Sequence, residues 1–297
     1  MFRLLVIAIP MIVSFSIIIA TIFTLKLLRS RDRRRSPLTT DMLRQPAQGL
    51  REKLTDLNDE ISAYIAAALM LPFSVSTMFF ADMWRRQLNF EDSKWQFYLS
   101  TGVIVTVVVT ALAFRRGTSR RKILQAVDAE LVVAQELEVL RASGCRLFHD
   151  LQCGEFNIDH VVVGPGGIFA VETKSRLKPE MGGGREGVTV TYDGKALKFP
   201  GWTETKPLQQ AERQARWLAQ KLSKATGEPI TVRGVLALPG WYVQRAAKGD
   251  VTVINPKKPE WMSKPTGISR LEDAQVQRIA YQLEQLSVVE APPKKLR

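Results

Sequence analysis

Cysteine and histidine are scarce, with two of each in 297 residues. So few cysteines exclude a disulfide scaffold and point to a reducing or disulfide-indifferent setting. With two histidines there is little material for a Ser-His-Asp or Cys-His nucleophilic site. Cys145, His149, Cys153 and His160 match no zinc-finger spacing, so buried thiols and a polar strand histidine are expected instead. The glycine runs Gly164–Gly167 and Met181–Gly184 lack the Gly-Lys-Ser/Thr of a phosphate loop; the second is expected to be a mobile loop. Acidic residues are also in deficit. Against 42 Lys and Arg stand 29 Asp and Glu, for a net charge of +13, which suits a polyanion or an anionic membrane surface. The balance of 45% hydrophobic and 24% charged residues excludes a disordered chain, a collagen-like repeat or a coiled coil.

Long apolar runs, by contrast, are present, all before residue 115. Leu4 to Leu28 is mostly apolar, with Lys26 its only charge, and meets the roughly 20 residues a membrane span needs. A basic stretch, Arg29 to Arg35, follows with no small-residue cleavage site, so an uncleaved anchor is expected. A second run covers Ile61 to Trp84, with Pro72 tolerated as in membrane helices. A third covers Phe97 to Phe114 and is closed by Arg115 and Arg116. Buried core helices are the competing reading of the second and third runs. The clusters Arg29–Arg35 and Arg115–Lys122 both read as cytoplasmic, which gives three spans and a cytoplasmic C-terminal domain. The boundaries are span 1 within 1–28, a basic linker over 29–60, spans at 61–84 and 97–114, a domain over 120–255, and a C-terminal loop, helix and tail over 256–297.

After residue 115 the pattern becomes that of one α/β domain with a sheet flanked by helices. Helical spacing runs from about Arg120 to Ser143 and stops at Gly144. Strands follow at Cys145–Leu151, Ile158–Val163, Ile168–Thr173 and Val188–Tyr192, and Asp193-Gly194 predicts a hairpin into Ala196–Phe199. A second helix spans Pro207 to about Ala225, with strands at Ile230–Leu238 and Val251–Ile254. A last helix is predicted from a Ser269–Glu272 capping box, ahead of a Pro-Pro-Lys-Lys tail.

Asn157-Ile158-Asp159-His160-Val161-Val162-Val163, a Gly-Pro-Gly-Gly turn and Ile168-Phe169-Ala170-Val171-Glu172-Thr173-Lys174 are the informative stretch. Both strands are apolar on both faces, as in the centre of a covered sheet. A tight turn at Pro165-Gly166 pairs Gly164 with Gly167 and, by extension, sets Asp159 opposite Glu172, with β-carbons about 4.5–5.5 Å apart. Alternation places Lys174 on the face of Glu172. Two opposed carboxylates repel, so a cation is expected between them. It is either Lys174 alone, in a buried ion cluster, or a hard metal such as Mg²⁺.

These residues resemble the nuclease-related domain (NERD) family of the PD-(D/E)XK nuclease superfamily, over roughly residues 120 to 240. The resemblance implies a restriction-endonuclease-like core with a mixed central sheet and metal-dependent cleavage of a phosphodiester. It implies that Asp159 and Glu172 hold Mg²⁺ (Mn²⁺ as a substitute), with Lys174 acting on the attacking water or the developing charge. The family's helical Gly-Glu pair is matched by Ala129-Glu130, so Glu130 is the expected further metal ligand although the glycine is missing. A glutamine early in the second helix is expected at Gln210, with Gln209 as the other choice. Arg176, Lys178 and Arg185, with Lys195 and Lys198, are expected to track phosphates, and Trp202, Trp217, Trp241 and Tyr242 to offer stacking faces or simply fill the core.

The expected partners are nucleic acid, DNA before RNA, and an inner or plasma membrane crossed several times. Homo-oligomerisation is left open. The competing function is a non-catalytic nucleic-acid-binding or assembly module of the same fold.

Overall fold

The structure, a computed structural model, describes residues 24, 42–90, 94–179, 184–265 and 270–289. The first apolar run (apart from Thr24), the basic run Arg29–Arg35, Met181–Gly183, Ser269 and the C-terminal tail lie outside the described residues. In chain order the elements begin with β1 (Met42–Leu43), α1 (Gln48–Arg86) and α2 (Trp95–Leu137), which continues as a 3-10 turn over Glu138–Ser143. Next come β2 (Arg146–Gln152), β3 (Asn157–Gly164), β4 (Gly167–Thr173), β5 (Thr189–Tyr192), β6 (Leu197–Phe199), β7 (Trp202–Glu204) and α3 (Lys206–Thr226). The chain ends with β8 (Val232–Ala237), β9 (Tyr242–Arg245), β10 (Val251–Ile254), α4 (Asp273–Ser287) and β11 (Val288–Val289).

The chain divides into two compact units. The described part of the first is residues 24, 60–90 and 94–115, and that of the second is residues 42–59, 116–179, 184–265 and 270–289. The second and third apolar runs fall in two helices that are long and apolar enough to cross a membrane, Gln48–Arg86 and Trp95–Ser143, the two such helices among the described residues. Their side chains are turned outward: Leu69 is 71% exposed, Val107 61% and Phe114 74%. That argues against the core-helix reading, since a water-soluble domain rarely displays so much contiguous apolar surface. Around Pro72, the hydroxyls of Ser74, Ser76 and Thr77 each donate to the carbonyl four residues earlier, at 2.9–3.0 Å, which satisfies their hydrogens within the helix. The helix expected from Arg120 is not separate from the third apolar run. No proline interrupts residues 95–137, so both belong to α2.

The second unit is built on a five-stranded mixed sheet in the order β10-β8-β4-β3-β2. β2, β3 and β4 are antiparallel neighbours, while β8 runs parallel to β4 and to β10. The parallel step from β4 to β8 needs a crossover, which α3 provides. One face of the sheet packs Phe148, Val161, Val163, Ile168 and Ala170 against Ala215, Leu218 and Leu222 of α3 and Ile279 and Leu283 of α4. The C-terminal helix is therefore part of this core. The other face joins Leu147, Val162, Phe169 and Val171 to Val133 and Leu137 of α2. Each such side chain, removed from water, stabilises the fold by about 1.5–3 kcal/mol.

The β3–β4 turn shows why its glycines are required. A Cβ on Gly164 would lie 2.3 Å from the Cys145 sulfur, and one on Gly166 would lie 2.0 Å from the Met262 carbonyl oxygen. A second sheet, β7-β6-β5-β9, contains two short strands, β7 and β9, that the alternation pattern does not reveal. The Asp193-Gly194 hairpin is present between β5 and β6, with Asp193 Oδ1 accepting the Lys195 and Ala196 N–H groups. The last helix starts later than the Ser269 signature predicts. Glu272 is the N-cap, and its N–H bonds the Gln275 side chain at 3.1 Å in a capping box.

Candidate active site

The register of the central hairpin runs from Gly164 opposite Gly167 to His160 opposite Val171. One step further lie Asp159 and Glu172, which are 6% and 1% exposed. The Asp159 carboxylate accepts the Thr173 N–H at 2.7 Å. Lys174 Nζ donates to Glu172 Oε1, with the lysine side chain 25% exposed. Two carboxylates and an ammonium thus converge where the hairpin leaves the sheet, as alternation along the two strands requires. Glu130 of α2 is also buried and joins this electrostatic cluster.

The cluster is short of positive charge. Burial is the main cause that raises the Asp159 carboxyl well above the ordinary range, followed by repulsion from Glu172 and Glu130; the Thr173 N–H and Lys174 oppose it. Glu130 is raised to about 7 by burial and by the charges of Asp150 and Glu172, against Lys174 and the Ala47 main-chain N–H. A dry site that disfavours its own carboxylates tends to serve chemistry rather than stability. Glu130 Oε2, Thr173 Oγ1 and Gln214 Oε1 are buried atoms there without a hydrogen-bond partner.

The glutamine against the acids is Gln214, one helical turn beyond the expected Gln210. Gln214 Nε2 donates to Glu172 Oε2 at 2.5 Å and to the Asn157 carbonyl at 2.9 Å. Gln210 is half-buried and Gln209 exposed on the same helix. The sequence does contain a signal for Gln214. It is a polar residue inside the Ala211, Ala215, Leu218 stripe and so must face the core. A second residue not singled out is Asp150, 1% exposed in the middle of β2.

Arg176, Lys178 and Arg185 gather around the connection from β8 to β9. Trp241 Nε1 donates to the Arg176 carbonyl at 3.1 Å, the Lys178 Nζ lies beside Gly240, and the Arg185 guanidinium sits 4.2 Å from the Tyr242 ring centre. The Arg176 guanidinium is engaged by both oxygens of Glu204, at 2.8 and 2.9 Å. Trp241 is fully buried and packs edge-on to Phe199, whereas Trp202 and Tyr242 are exposed. Lys198 pairs with Asp193 at 2.9 Å, and Trp217 stacks edge-on with Phe156.

On the opposite face of the sheet, His149 and His160 meet through their Nδ1 atoms at 2.9 Å. Burial lowers His149 to about 4 and His160 well below its ordinary value, so both rings are neutral and one donates to the other. Cys145 and Cys153 are buried free thiols, their ionisation pushed up by burial.

A mixed sheet between helices, with an acid–acid–lysine group at the end of its central hairpin, defines an α/β domain with a dry, oxygen-rich site. Residues 126–239, from the C-terminal part of α2 to just beyond β8, match the model of the nuclease-related domain (NERD) family. No curated protein matches the chain. Among solved structures, SfsA of Pyrococcus furiosus in complex with Ca²⁺ aligns at 17% identity over 54% of this chain and 53% of its own, about half its length, with a TM-score of 0.20.

Proposed function

We propose that this chain is a membrane-anchored, metal-dependent nuclease of the PD-(D/E)XK type that hydrolyses phosphodiester bonds of DNA. The observation that carries this reading is the convergence of Asp159, Glu172 and Lys174, two buried carboxylates and one ammonium, at a site with excess negative charge. Their hard oxygens fit Mg²⁺, or Mn²⁺ in its place. Among the described residues no three His, Cys, Asp or Glu side chains already form a metal cage. Mg²⁺ typically takes one or two carboxylates and fills its remaining positions with water and substrate phosphate. Asp159 and Glu172 would hold the ion, with Glu130 near enough in charge to contribute.

The bound ion would polarise the scissile phosphate and lower the pKa of an attacking water. Gln214 holds one oxygen of Glu172 while Lys174 holds the other, which fixes the carboxylate plane. Lys174 is also the partly exposed cation of the group, placed to neutralise charge that grows on the phosphate in the transition state. The basic trio near Gly240–Tyr242 would follow the nucleic-acid backbone, with Arg176 exchanging Glu204 for phosphate. The exposed apolar surface of α1 and α2 supports membrane insertion, and the Arg115–Lys122 cluster supports a cytoplasmic domain.

The test uses the full chain in detergent micelles with end-labelled single-stranded DNA, duplex DNA and RNA, in Mg²⁺, Mn²⁺ or EDTA, beside Lys174→Ala. Metal-dependent cleavage that Lys174→Ala abolishes is expected, and the product ladder separates endonuclease from exonuclease. Binding that survives EDTA, without cleavage in any metal, would replace the nuclease by a tethering module. Release of the chain from membranes by alkaline carbonate would overturn the anchor, and protease digestion of intact vesicles tests the orientation.

A further inference from the structure

The stretch just before α1 reaches across more than a hundred residues of sequence to the acidic site. Asp150 Oδ2 accepts Arg44 Nε at 2.9 Å, a second bond from Arg44 Nη2, and the Gly49 N–H at 2.7 Å. Asp150 Oδ1 accepts Asn157 Nδ2 at 2.7 Å. The Asn157 carbonyl is in turn held by Gln214, whose same nitrogen binds Glu172. A continuous path therefore runs from Arg44 through Asp150, Asn157 and Gln214 to the Glu172 carboxylate.

A purely mechanical strap would not need these contacts. Met42 and Leu43 already pair with Val289 and Val288, and the Arg44 N–H bonds the Ser287 carbonyl at 2.9 Å. Beyond that anchor the chain turns inward. Ala47 is fully buried at φ 56°, its N–H directed at Glu130, and Asp150 has φ 49°. Two non-glycine residues in the left-handed region thus meet beside one acidic site. Such strain is retained where the surrounding structure uses it.

We propose that Arg44 and Asp150 are positioning residues for the carboxylate site, so that the segment preceding α1 completes the NERD site rather than linking it to the membrane. Arg44 neutralises Asp150 and grips its Oδ2 with two guanidinium nitrogens at once, a geometry that an ammonium cannot reproduce. Asp150 then serves as a fixed acceptor for Asn157, and Glu172 keeps the orientation in which it faces a metal. Without Arg44, Asp150 would add an unbalanced charge beside Glu130. The proposal rests on the metal-dependent reading of the site.

The test measures Mn²⁺ binding to the full chain in micelles by electron paramagnetic resonance, alongside kcat, KM and thermal midpoint. Wild type is compared with Arg44→Ala, Arg44→Lys, Asp150→Asn and the control Arg278→Ala, whose exposed partner is Glu228. About a tenfold weaker Mn²⁺ affinity and a lower kcat at unchanged KM are expected for Arg44→Ala and Asp150→Asn. Arg44→Lys should recover part of the affinity, and Arg278→Ala should match wild type. If Arg44→Ala is unstable, Arg44→Lys and Asp150→Asn still carry the comparison. Lowered thermal midpoints with unchanged Mn²⁺ affinity and kcat would overturn the proposal and leave the strap mechanical. A wild type that neither binds Mn²⁺ nor cleaves would overturn the nuclease reading, and the positioning role with it. A wild type that binds Mn²⁺ without cleaving still decides the positioning role through affinity.

Discussion

The two faces of the central hairpin treat buried titratable groups in opposite ways. On one face, Asp159 and Glu172 are held close to each other and to Glu130, with Lys174 as the partner cation. On the other, His149 and His160 remain neutral and share a hydrogen bond, with His160 Nε2 left buried without a partner. Strand, turn and depth are common to both faces. Only the acidic face retains electrostatic repulsion, and only that face carries a group suited to a cation. A fold can therefore bury titratable side chains in neutral form, and the face that keeps like charges together is the one to assign to chemistry.

The largest expected effect breaks the acidic face. Lys174→Ala should lower kcat by about 10²–10³, the usual loss when one charge-stabilising group is removed from a site. The double variant His149→Phe/His160→Val should leave metal-dependent cleavage within about twofold, and a larger loss would end the contrast between the faces.

Acid unfolding sharpens the comparison, because the two faces respond with opposite signs. His149 ionises near 6.5 when unfolded and near 4 when folded. As pH falls between those values the unfolded chain takes up a proton that the folded chain refuses, and stability drops. At about 1.4 kcal/mol per pKa unit, this amounts to at most about 3.5 kcal/mol. Glu130, ordinarily near 4.5, is lifted to about 7, so the folded chain binds its proton first and gains stability as pH falls through that window. Urea titrations from pH 7 to pH 4.5 should therefore show the double histidine variant gaining stability relative to wild type. Parallel curves would mean that the histidine pair is not neutral in the folded state.

A smaller effect is expected from Asp159→Asn, which can still accept the Thr173 N–H but removes one of the repelling charges. A gain of about 1 kcal/mol in urea, together with loss of Mn²⁺ binding, is expected, since functional sites commonly give up stability. A loss of stability instead would assign Asp159 to a structural ion cluster with Lys174. The smallest effect should come from Arg278→Ala. It removes an exposed ion pair and should change stability by less than about 0.5 kcal/mol.

Much of this was legible in the residues themselves. The turn Gly164-Pro165-Gly166-Gly167 sets its own register, because a two-residue Pro165-Gly166 turn pairs Gly164 with Gly167, and extension of that pairing sets Asp159 across from Glu172. Lys174 followed from alternation alone. Gln214 was missed because the resemblance points to a glutamine early in the helix, whereas the one that reaches Glu172 lies a turn further along the same face, nearer the end of the hairpin. The short strands β7 and β9 were missed because three or four residues carry too little alternation to stand apart from loop. The continuity of α2 was missed because the change from apolar to charged side chains after Phe114 looks like an element boundary, although the backbone hydrogen bonds continue through it.

The sequence by itself determined the central hairpin, its acid–acid–lysine group and the apolar runs, since each rests on local periodicity. The tertiary structure alone decided which residues surround that group. Arg44, Asp150 and Gln214 lie far apart along the chain, and no local pattern encodes their meeting. They come together because two helices and a strap must cover the same sheet, and the polar side chains they bring inward must then find partners in one another.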